Sequence, residues 1–301
     1  MRNLPLTLMP FKVTRNRYMK TFVINLERSV VRRASIQQQL DSQGIAFEFI
    51  KAVDGSLLTD EYLATVCNFE ELAKRPYLQL KGVYGCLLSH YSIYEKIVAD
   101  NIPYALILED DVIIQPGMRA VLIEIGAKIQ YNEAILLFSQ NNYMPTVLTS
   151  QQSELLSGKH KLSYPMDPGA LGSAAAYVIS NAAARGMLKY MLPIHVAADA
   201  WQYFYRDKAI GSLRCVTPFL ARPAGFSSEI DYTRDTGILG KVVSIVKKFN
   251  LFPFKQLLDS RRRFALQKSS RYSFTSEVSP VAKAQLDRKD EARAHNFRIN
   301  T

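Results

Sequence analysis

Residues 104–114 read YALILEDDVII, an apolar run that leads into three consecutive acids and then into three more apolar residues. The first part has the length and the apolar content of a buried β-strand. Three adjacent like charges repel each other, and the neighbouring sequence supplies no obvious base. Either the strand ends in water at Glu109, or a positive charge supplied from outside the sequence completes the cluster.

Strands and helices alternate on both sides of this stretch. An apolar run at 20–26 predicts a strand, and apolar positions 31, 34, 36 and 40 predict a helix that ends before Gly44. The same patterns predict strands at 45–50, 104–108, 134–139 and 174–180, and helices at 83–101, at about 116–130 and from Ser180 onward. This alternation predicts an α/β fold with a mostly parallel sheet covered by helices.

Residues 140–168 break the alternation. They lose periodicity and gather Asn, Gln, Ser, Gly and Pro, which predicts a long loop. Loops of this length inside a compact domain are usually functional or mobile. Tyr143 and this loop are therefore candidates for a lid or for a wall of an acceptor site.

The net charge of +11 is concentrated in two segments. Residues 241–272 carry +8 and residues 1–20 carry +5, which leaves −2 for the remainder. The stretch at 241–264, KVVSIVKKFNLFPFKQLLDSRRRF, mixes bases with apolar residues, a composition typical of segments that bind anionic lipid surfaces. An exposed basic tail is the alternative. RNA-binding signatures are missing, so nucleic acid is not an expected partner.

The location follows from what the sequence lacks. It has no apolar run of about 18 residues, and its basic, interrupted start does not resemble a signal peptide. The three cysteines are far apart, which predicts free thiols rather than disulfides or a zinc knuckle. We therefore expect a cytoplasmic protein, peripheral on the inner membrane if the basic segment binds lipid.

The acid cluster has the chemistry of a metal site. Because side chains alternate along a strand, Glu109 and Asp111 are expected to face one way and Asp110 the other. Two carboxylates at a strand end suit Mn²⁺ or Mg²⁺, which take oxygen ligands. The pattern resembles the acid-x-acid element of nucleotide-sugar transferases. A solvated turn and a set of phosphoryl-transfer acids remain alternatives.

Four segments read together resemble glycosyltransferase family 25, the lipooligosaccharide galactosyltransferase family of Gram-negative bacteria. They are FVINLERSVVRR at 22–33, GVYGCLLSHYSIYEKI at 82–97, YALILEDDV at 104–112, and GSAAAYVISNAAARGML at 172–188 with VAADAW at 196–201. The resemblance covers about residues 20–225 and implies a GT-A fold, a UDP-sugar donor, a divalent metal and inversion at the anomeric carbon. Val83 departs from the family pattern, which usually has an acid there.

The resemblance and the strand-end geometry suggest residues that bind the donor. The candidates are Asn25, Leu26 and Glu27 for uridine, Arg28 or Arg33 for the diphosphate, and Ser89, His90, Glu109 and Asp110 around the phosphates and sugar. For Arg28, Arg32 and Arg33 the alternative is a solvated helix face. For His90 the alternative is a structural histidine.

The same reasoning suggests the metal ligands and a base. Asp111 is the first candidate metal ligand, and Glu109 either binds the metal through water or contacts the ribose. Asp199, which lies among alanines beside Trp201, is the candidate base that takes the proton of the acceptor hydroxyl. The alternative for Asp199 is an acid stabilised by a helix N-terminus.

These observations divide the chain into three expected parts: a disordered extension at 1–19, a GT-A-like catalytic domain at 20–225, and a basic, amphipathic helical appendage at 226–301. We expect an inverting, metal-dependent transferase that moves galactose or a related hexose from a UDP-sugar to the lipid-linked saccharide of lipooligosaccharide core. The alternative is a non-catalytic saccharide-binding or assembly protein, with Val83 as its first sign of decay.

Overall fold

The structure is a computed structural model that describes residues 19–226, 256, 260 and 269–284. The expected extension at 1–18 and almost all of the basic segment at 241–264 lie outside the described residues. Among the helices that are described, none combines the length and the apolar character needed to cross a membrane.

The described residues form twelve strands and seven α-helices, connected in places by short 3₁₀ turns. The strands are β1 (Lys20–Asn25), β2 (Glu48–Lys51), β3 (Tyr104–Glu109), β4 (Val112–Ile114), β5 (Glu133–Leu136), β6 (Thr146–Thr149), β7 (Glu154–Leu155), β8 (Lys161–Ser163), β9 (Ala176–Ser180), β10 (Ser212–Thr217), β11 (Ala221–Pro223) and β12 (Tyr272–Thr275). The helices are α1 (Val30–Ser42), α2 (Asp60–Val66), α3 (Phe69–Ala73), α4 (Lys81–Ala99), α5 (Met118–Lys128), α6 (Asn181–Met191) and α7 (Trp201–Arg206).

One large sheet organises the fold. Its eight strands lie in the order β2-β1-β3-β9-β5-β10-β8-β7. β1 is parallel to β2 and β3, and β5 is parallel to β10, while β9 and β8 are antiparallel to their neighbours. Most strands therefore point in the same direction, and the carboxyl ends of β1, β3, β5 and β10 share one edge. The predicted α/β fold with a mostly parallel sheet is confirmed.

Strand β3 is buried on both faces, as its continuous apolar run requires. Ala105 and Ile107 pack into the layer formed with α4 and α6, and Leu106 and Leu108 pack into the layer formed with α1 and α5. The two layers meet only through the sheet. Each acid that follows β3 must therefore emerge on one side of the sheet or the other.

The predicted loop at 140–168 differs from the structure. It contains β6, β7 and β8, of which β8 joins the large sheet beside β10. β6 pairs with β12 from the far end of the chain, and Val281 packs against Tyr164. These strands are short and their partners are remote in sequence, so local periodicity does not reveal them. The domain boundary at 225 stays a prediction, since residues 269–284 contact the segment before it.

Helix α1 also turns a different face to the core than predicted. Its buried residues are Arg32, Ile36 and Leu40, whereas Val31 is 68% exposed. The buried face thus includes a charged residue in place of an apolar one. The acids at the end of β3 account for this, because Arg32 pairs with Asp110 on the side of the sheet that α1 covers.

A buried ionic cluster lies at the opposite, amino edge of the sheet. The Arg214 guanidinium, 1% exposed, donates to both carboxylate oxygens of Glu133 at 2.6 and 2.8 Å and to Glu154 at 2.6 Å. Glu133 also accepts hydrogen bonds from the Ser212 hydroxyl and from the backbone N–H of Gln130. Each buried charge thus has an opposite charge and several hydrogen bonds.

We expect Arg214→Met to lower the free energy of unfolding by about 3–5 kcal/mol, because it leaves Glu133 buried without its counter-charge. The matched control is Lys128→Met, which also removes a cation from Glu154 but at a partly exposed site, 33% accessible. That control should change stability by no more than about 1 kcal/mol. Urea denaturation of both variants measures the difference in their free energies of unfolding. Equal losses of stability would contradict the larger contribution assigned to the buried pair.

Candidate active site

The predicted strand-end residues meet where β1 and β3 end side by side, with Ile24 opposite Glu109. The Asn25 amide donates to Oδ2 of Asp110 at 2.6 Å, and Arg32 Nη1 donates to Oδ1 at 3.1 Å. Asn25, Arg32 and Asp110 are all buried. Asp110 therefore ties β1 and α1 to the turn after β3.

Burial dominates the electrostatics of Asp110. The loss of hydration raises the pKa of its carboxyl, and the opposing effects of Asn25 and Arg32 do not fully offset that rise. The structure thus places Asp110 inside the protein with its carboxylate oxygens already occupied. Its predicted contact with the donor stays a prediction.

Arg32 is the residue that the sequence reasoning missed. It lies 3.1 Å from Asp110 and 3.7 Å from Asp111, so it supplies positive charge to two of the three acids. The signal was available, because 32, 36 and 40 are spaced by one helical turn and Ile36 and Leu40 are apolar. The solvated-face interpretation is wrong for Arg32.

Glu109 faces the other side of the sheet from Asp110, as side-chain alternation predicts. The sequence predicts that Asp111 faces the same way as Glu109, but Asp111 lies in the turn after β3 and 3.7 Å from Arg32 of α1, because alternation ends with the strand. Oε1 of Glu109 lies 3.3 Å from Nε2 of His90 and 3.7 Å from the sulfur of Cys86. The other oxygen, Oε2, has no hydrogen-bond partner among the described residues. Glu109 thus presents one fixed and one open oxygen at the carboxyl edge of the sheet.

The environment of Cys86 shows which acids lie together. Burial raises the pKa of this thiol well above its ordinary value, and the negative charges of Glu109, Asp199 and Asp111 raise it further. Glu109 contacts this partly buried thiol at 3.7 Å, and Asp199 and Asp111 lie close enough for their charges to act on it. The thiol stays protonated at neutral pH and donates to Glu109.

Cys86, His90 and Glu109 bring three ligand-type atoms within 4.8 Å of one another. The thiol is protonated, and both ring nitrogens of His90 make hydrogen bonds, with Tyr177 on the far side. This arrangement suits the orientation of Glu109 better than direct metal binding by sulfur and nitrogen. The oxygens of Glu109 and Asp111 fit Mn²⁺ or Mg²⁺, which are hard cations that prefer carboxylates.

The loop before α7 brings Asp199 to the same place. Oδ2 of Asp199 accepts a hydrogen bond of 3.1 Å from the backbone N–H of Ser173, whose carbonyl accepts one of 3.0 Å from the Trp201 indole. Ser173 has a φ of 72°, a left-handed conformation that is unusual for a residue other than glycine. The Asp199 carboxylate is thus held by the strained backbone of Ser173, which lies just before β9.

Asp199 is exposed as a residue, and protein atoms packed around its carboxyl group still displace water from it. Lost hydration raises the pKa of Asp199, and the nearby charge of Glu109 raises it further, against the opposing hydrogen bond from Ser173. A carboxyl with a raised pKa is better suited to take a proton than an ordinary aspartate.

Ser89, a predicted donor residue, has a structural role. Ser89 donates to the Gly85 carbonyl at 2.6 Å and accepts from the Val53 amide at 2.8 Å, which ties α4 to the segment after β2. Gly85 makes this crossing close, since a Cβ there would lie 2.6 Å from the Val53 carbonyl oxygen. Val83, where the family usually has an acid, packs in the apolar core.

The remaining predicted residues lie around the end of β1. Arg28 forms an ion pair with Asp54. Glu27 pairs with Lys51 at 2.9 Å, with both side chains 72% exposed. Arg33 stacks on the Phe49 ring at 3.7 Å and reaches the Asn25 amide oxygen at 3.3 Å. These residues border the acid cluster, and their predicted contacts with the nucleotide stay predictions.

A family model, glycosyltransferase family 25 (LPS biosynthesis protein), matches residues 19–201. The chain belongs to glycosyltransferase family 25. The resemblance noted in the sequence is therefore confirmed, and the match includes β1, α4, the acid cluster, Asp199 and Trp201.

The chain spans less than two thirds of the length of each of three curated relatives that it matches. A glycosyltransferase 25 family member of Anopheles gambiae is 26% identical over 71% of this chain and 38% of its own length. Lacto-N-neotetraose biosynthesis glycosyltransferase LgtE of Neisseria gonorrhoeae is 26% identical over 56% of this chain and 60% of its own. Inactive glycosyltransferase 25 family member 3 of Mus musculus is 27% identical over 75% of this chain and 40% of its own. Family 25 therefore includes proteins named as inactive.

We expect Asp199→Asn to stabilise the protein at pH 7. Folding raises the pKa of Asp199, so the folded state holds this proton more tightly than the unfolded chain. The wild type therefore loses stability as the pH rises from the unfolded pKa through the raised folded pKa. The variant lacks that loss, so its advantage should be present at pH 7 and should vanish below the unfolded pKa.

Asp207→Asn is the control with the opposite sign. The Arg206 guanidinium and the Tyr190 hydroxyl lower the pKa of Asp207 to about 2, which favours its charged form in the folded state. This variant should be less stable than wild type at pH 7, and the deficit should disappear as the pH falls toward 2. Denaturant titrations across this pH range test both variants, and a destabilised Asp199→Asn at pH 7 would contradict the first prediction.

Proposed function

We propose that this chain is an inverting glycosyltransferase that moves galactose or a related hexose from a UDP-sugar to a saccharide acceptor. The observation that carries the proposal is the geometry of the acids at the carboxyl edge of the sheet: His90 lies 3.3 Å from Glu109, and Arg32 lies 3.7 Å from Asp111. Asp199, held by the Ser173 N–H at 3.1 Å, lies close enough for the charge of Glu109 to act on it. This is the edge where α/β sheets bind nucleotides. Membership of family 25 supports the same reaction class.

The chemistry assigns Asp199 the role of base. In an inverting displacement the acceptor hydroxyl oxygen bonds to the anomeric carbon while its proton passes to Asp199. The bond between that carbon and the diphosphate oxygen breaks at the same time, and UDP leaves with the bonding electrons. The raised pKa of Asp199 favours this proton transfer.

Glu109 and Asp111 are the residues that would hold Mn²⁺ or Mg²⁺, which when bound offsets negative charge on the departing diphosphate. Arg32 lies 3.7 Å from Asp111 and orients it. Asn25, Leu26, Glu27, Arg28 and Arg33 surround the end of β1, where uridine and the diphosphate would lie.

The acceptor is proposed to be the lipid-linked saccharide of lipooligosaccharide core, reached by a protein attached to the cytoplasmic face of the inner membrane. The family description and the name of LgtE support a bacterial cell-surface saccharide. The basic and apolar composition of 241–264 supports contact with anionic lipid.

A non-catalytic saccharide-binding protein is the second candidate. Two observations favour it: a valine that is buried where the family usually has an acid, and a relative that is named inactive. Turnover of the donor separates the candidates, because only the enzyme hydrolyses or transfers from a UDP-sugar.

Titration calorimetry of UDP tests the donor site. UDP should bind with Mn²⁺ and much more weakly without it, and Asp111→Asn should weaken binding by at least tenfold with Mn²⁺ present. The control is Asp100→Asn, which removes an exposed acid that pairs with Lys96 at the end of α4. Metal-independent binding, or equal binding by the two variants, would contradict the assignment of the acids.

Turnover tests the base. With UDP-galactose and a lipooligosaccharide core acceptor, Asp199→Asn should lower kcat by about 10²–10⁴-fold, the usual contribution of a positioned base. Its Mn²⁺-dependent affinity for UDP should remain near that of wild type, since Asp199 acts on the acceptor. A variant with normal kcat would exclude Asp199 as the base.

A further inference from the structure

We propose that Tyr177 is a positioning residue that orients both Glu109 and Asp199 from inside the core. The proposal rests on the proposed function, in which these two carboxylates act on the donor and on the acceptor. Tyr177 lies on β9, is fully buried, and touches neither carboxylate directly. It acts through two separate chains of contacts.

The first chain leads to Glu109 through His90. The Tyr177 hydroxyl lies 2.8 Å from Nδ1 of His90, whose Nε2 lies 3.3 Å from Oε1 of Glu109. The Tyr94 hydroxyl lies 2.6 Å from that of Tyr177. All three residues behind Glu109 have no exposed surface.

An ionised Glu109 and a neutral His90 give these hydrogen bonds one direction. The carboxylate can only accept, so Nε2 of the neutral ring donates to it and Nδ1 accepts. Tyr177 must then donate to Nδ1, and Tyr94 must donate to Tyr177. Every donor in the chain is used, and a change of tautomer at His90 would break it at both ends.

Helix α4 carries the side chains that connect Tyr177 to Glu109. Cys86, His90 and Tyr94 are spaced by four residues and so lie in one row on the helix. Cys86 and His90 contact Glu109, and His90 and Tyr94 contact Tyr177. One row of side chains thus connects the core tyrosine to the carboxyl edge of the sheet.

The second chain leads to Asp199 through Trp201. The Tyr177 and Trp201 rings meet edge to face, with centroids 5.1 Å apart. The indole N–H donates to the Ser173 carbonyl at 3.0 Å, and the Ser173 N–H donates to Asp199 at 3.1 Å. The ring of Tyr177 supports this chain, whereas its hydroxyl supports the first.

This separation allows two substitutions to be told apart. Tyr177→Phe keeps the ring and removes the hydroxyl, so it should weaken Mn²⁺-dependent UDP binding and lower kcat, each by about 10–100-fold, the range typical of partners behind a metal ligand. Trp201→Phe removes the N–H that holds Ser173 together with part of a fully buried ring, so its Tm is measured beside its kcat. It should lower kcat and leave UDP affinity within about twofold of wild type, because the Asp199 chain alone is broken.

A double variant separates positioning from simple loss of stability. Tyr177→Phe leaves the Tyr94 hydroxyl buried without a partner, which lowers the Tm. Tyr94→Phe/Tyr177→Phe removes that hydroxyl and should recover part of the lost Tm, since Nδ1 of His90 still lacks its partner, while UDP affinity and kcat stay low. Recovery of affinity and kcat together with the Tm would overturn the proposal. The control is Tyr164→Phe, a buried tyrosine whose hydroxyl accepts from Gln130 away from the site.

Crystal structures of wild type and Tyr177→Phe keep this test independent of the proposed function. If wild type neither binds UDP nor transfers sugar, the proposed function fails while the structures still decide the positioning. The proposal expects the His90 ring to rotate and the Nε2–Oε1 contact of 3.3 Å to lengthen or break in the variant. An unchanged His90 and Glu109 in the variant would overturn it.

Discussion

The buried ion pair between Arg32 and Asp110 is the constraint on which the site depends. Three acids, Glu109 at the end of β3 and the two that follow it, lie side by side, and without compensation their mutual repulsion would oppose the turn into β4. Asp110 turns inward and takes Arg32 and Asn25, while Arg32 also approaches Asp111 at 3.7 Å. Part of the positive charge that the three acids require therefore comes from Arg32 of α1.

The sheet then separates the acids by side. Asp110 joins the layer that contains α1, and Glu109 joins the layer that contains α4. A carboxylate that is oriented by His90 and Cys86 keeps one oxygen for a ligand, whereas Asp110 has both oxygens occupied. Alternation along one strand thus produces a structural acid and a candidate ligand from adjacent residues.

The two edges of the sheet show how stability and chemistry are distributed. At the amino edge, Arg214 and Glu133 are buried and fully hydrogen bonded. At the carboxyl edge, Ser173 has a left-handed backbone, and the raised pKa of Asp199 shows that the fold opposes its charge. Strain and unfavourable charge concentrated at one edge are expected where a ligand completes the site.

The sequence by itself determined the elements that rest on local pattern. The strand at 104–108, the helix that starts at Ser180 and the opposite facing of Glu109 and Asp110 follow from periodicities that neighbouring residues set. These elements follow without the family resemblance, which adds the expected chemistry. Much of the fold and the main acids of the site were therefore predictable.

Only the tertiary structure decided which residues serve those acids. Arg32 meets Asp110 across 78 positions of sequence, and Tyr177 meets His90 across 87. The strands within 140–168 likewise depend on partners such as β10 and β12. A hydrogen bond or ion pair between remote residues leaves no local periodicity, because its energy exists only after the chain has folded and water has been excluded.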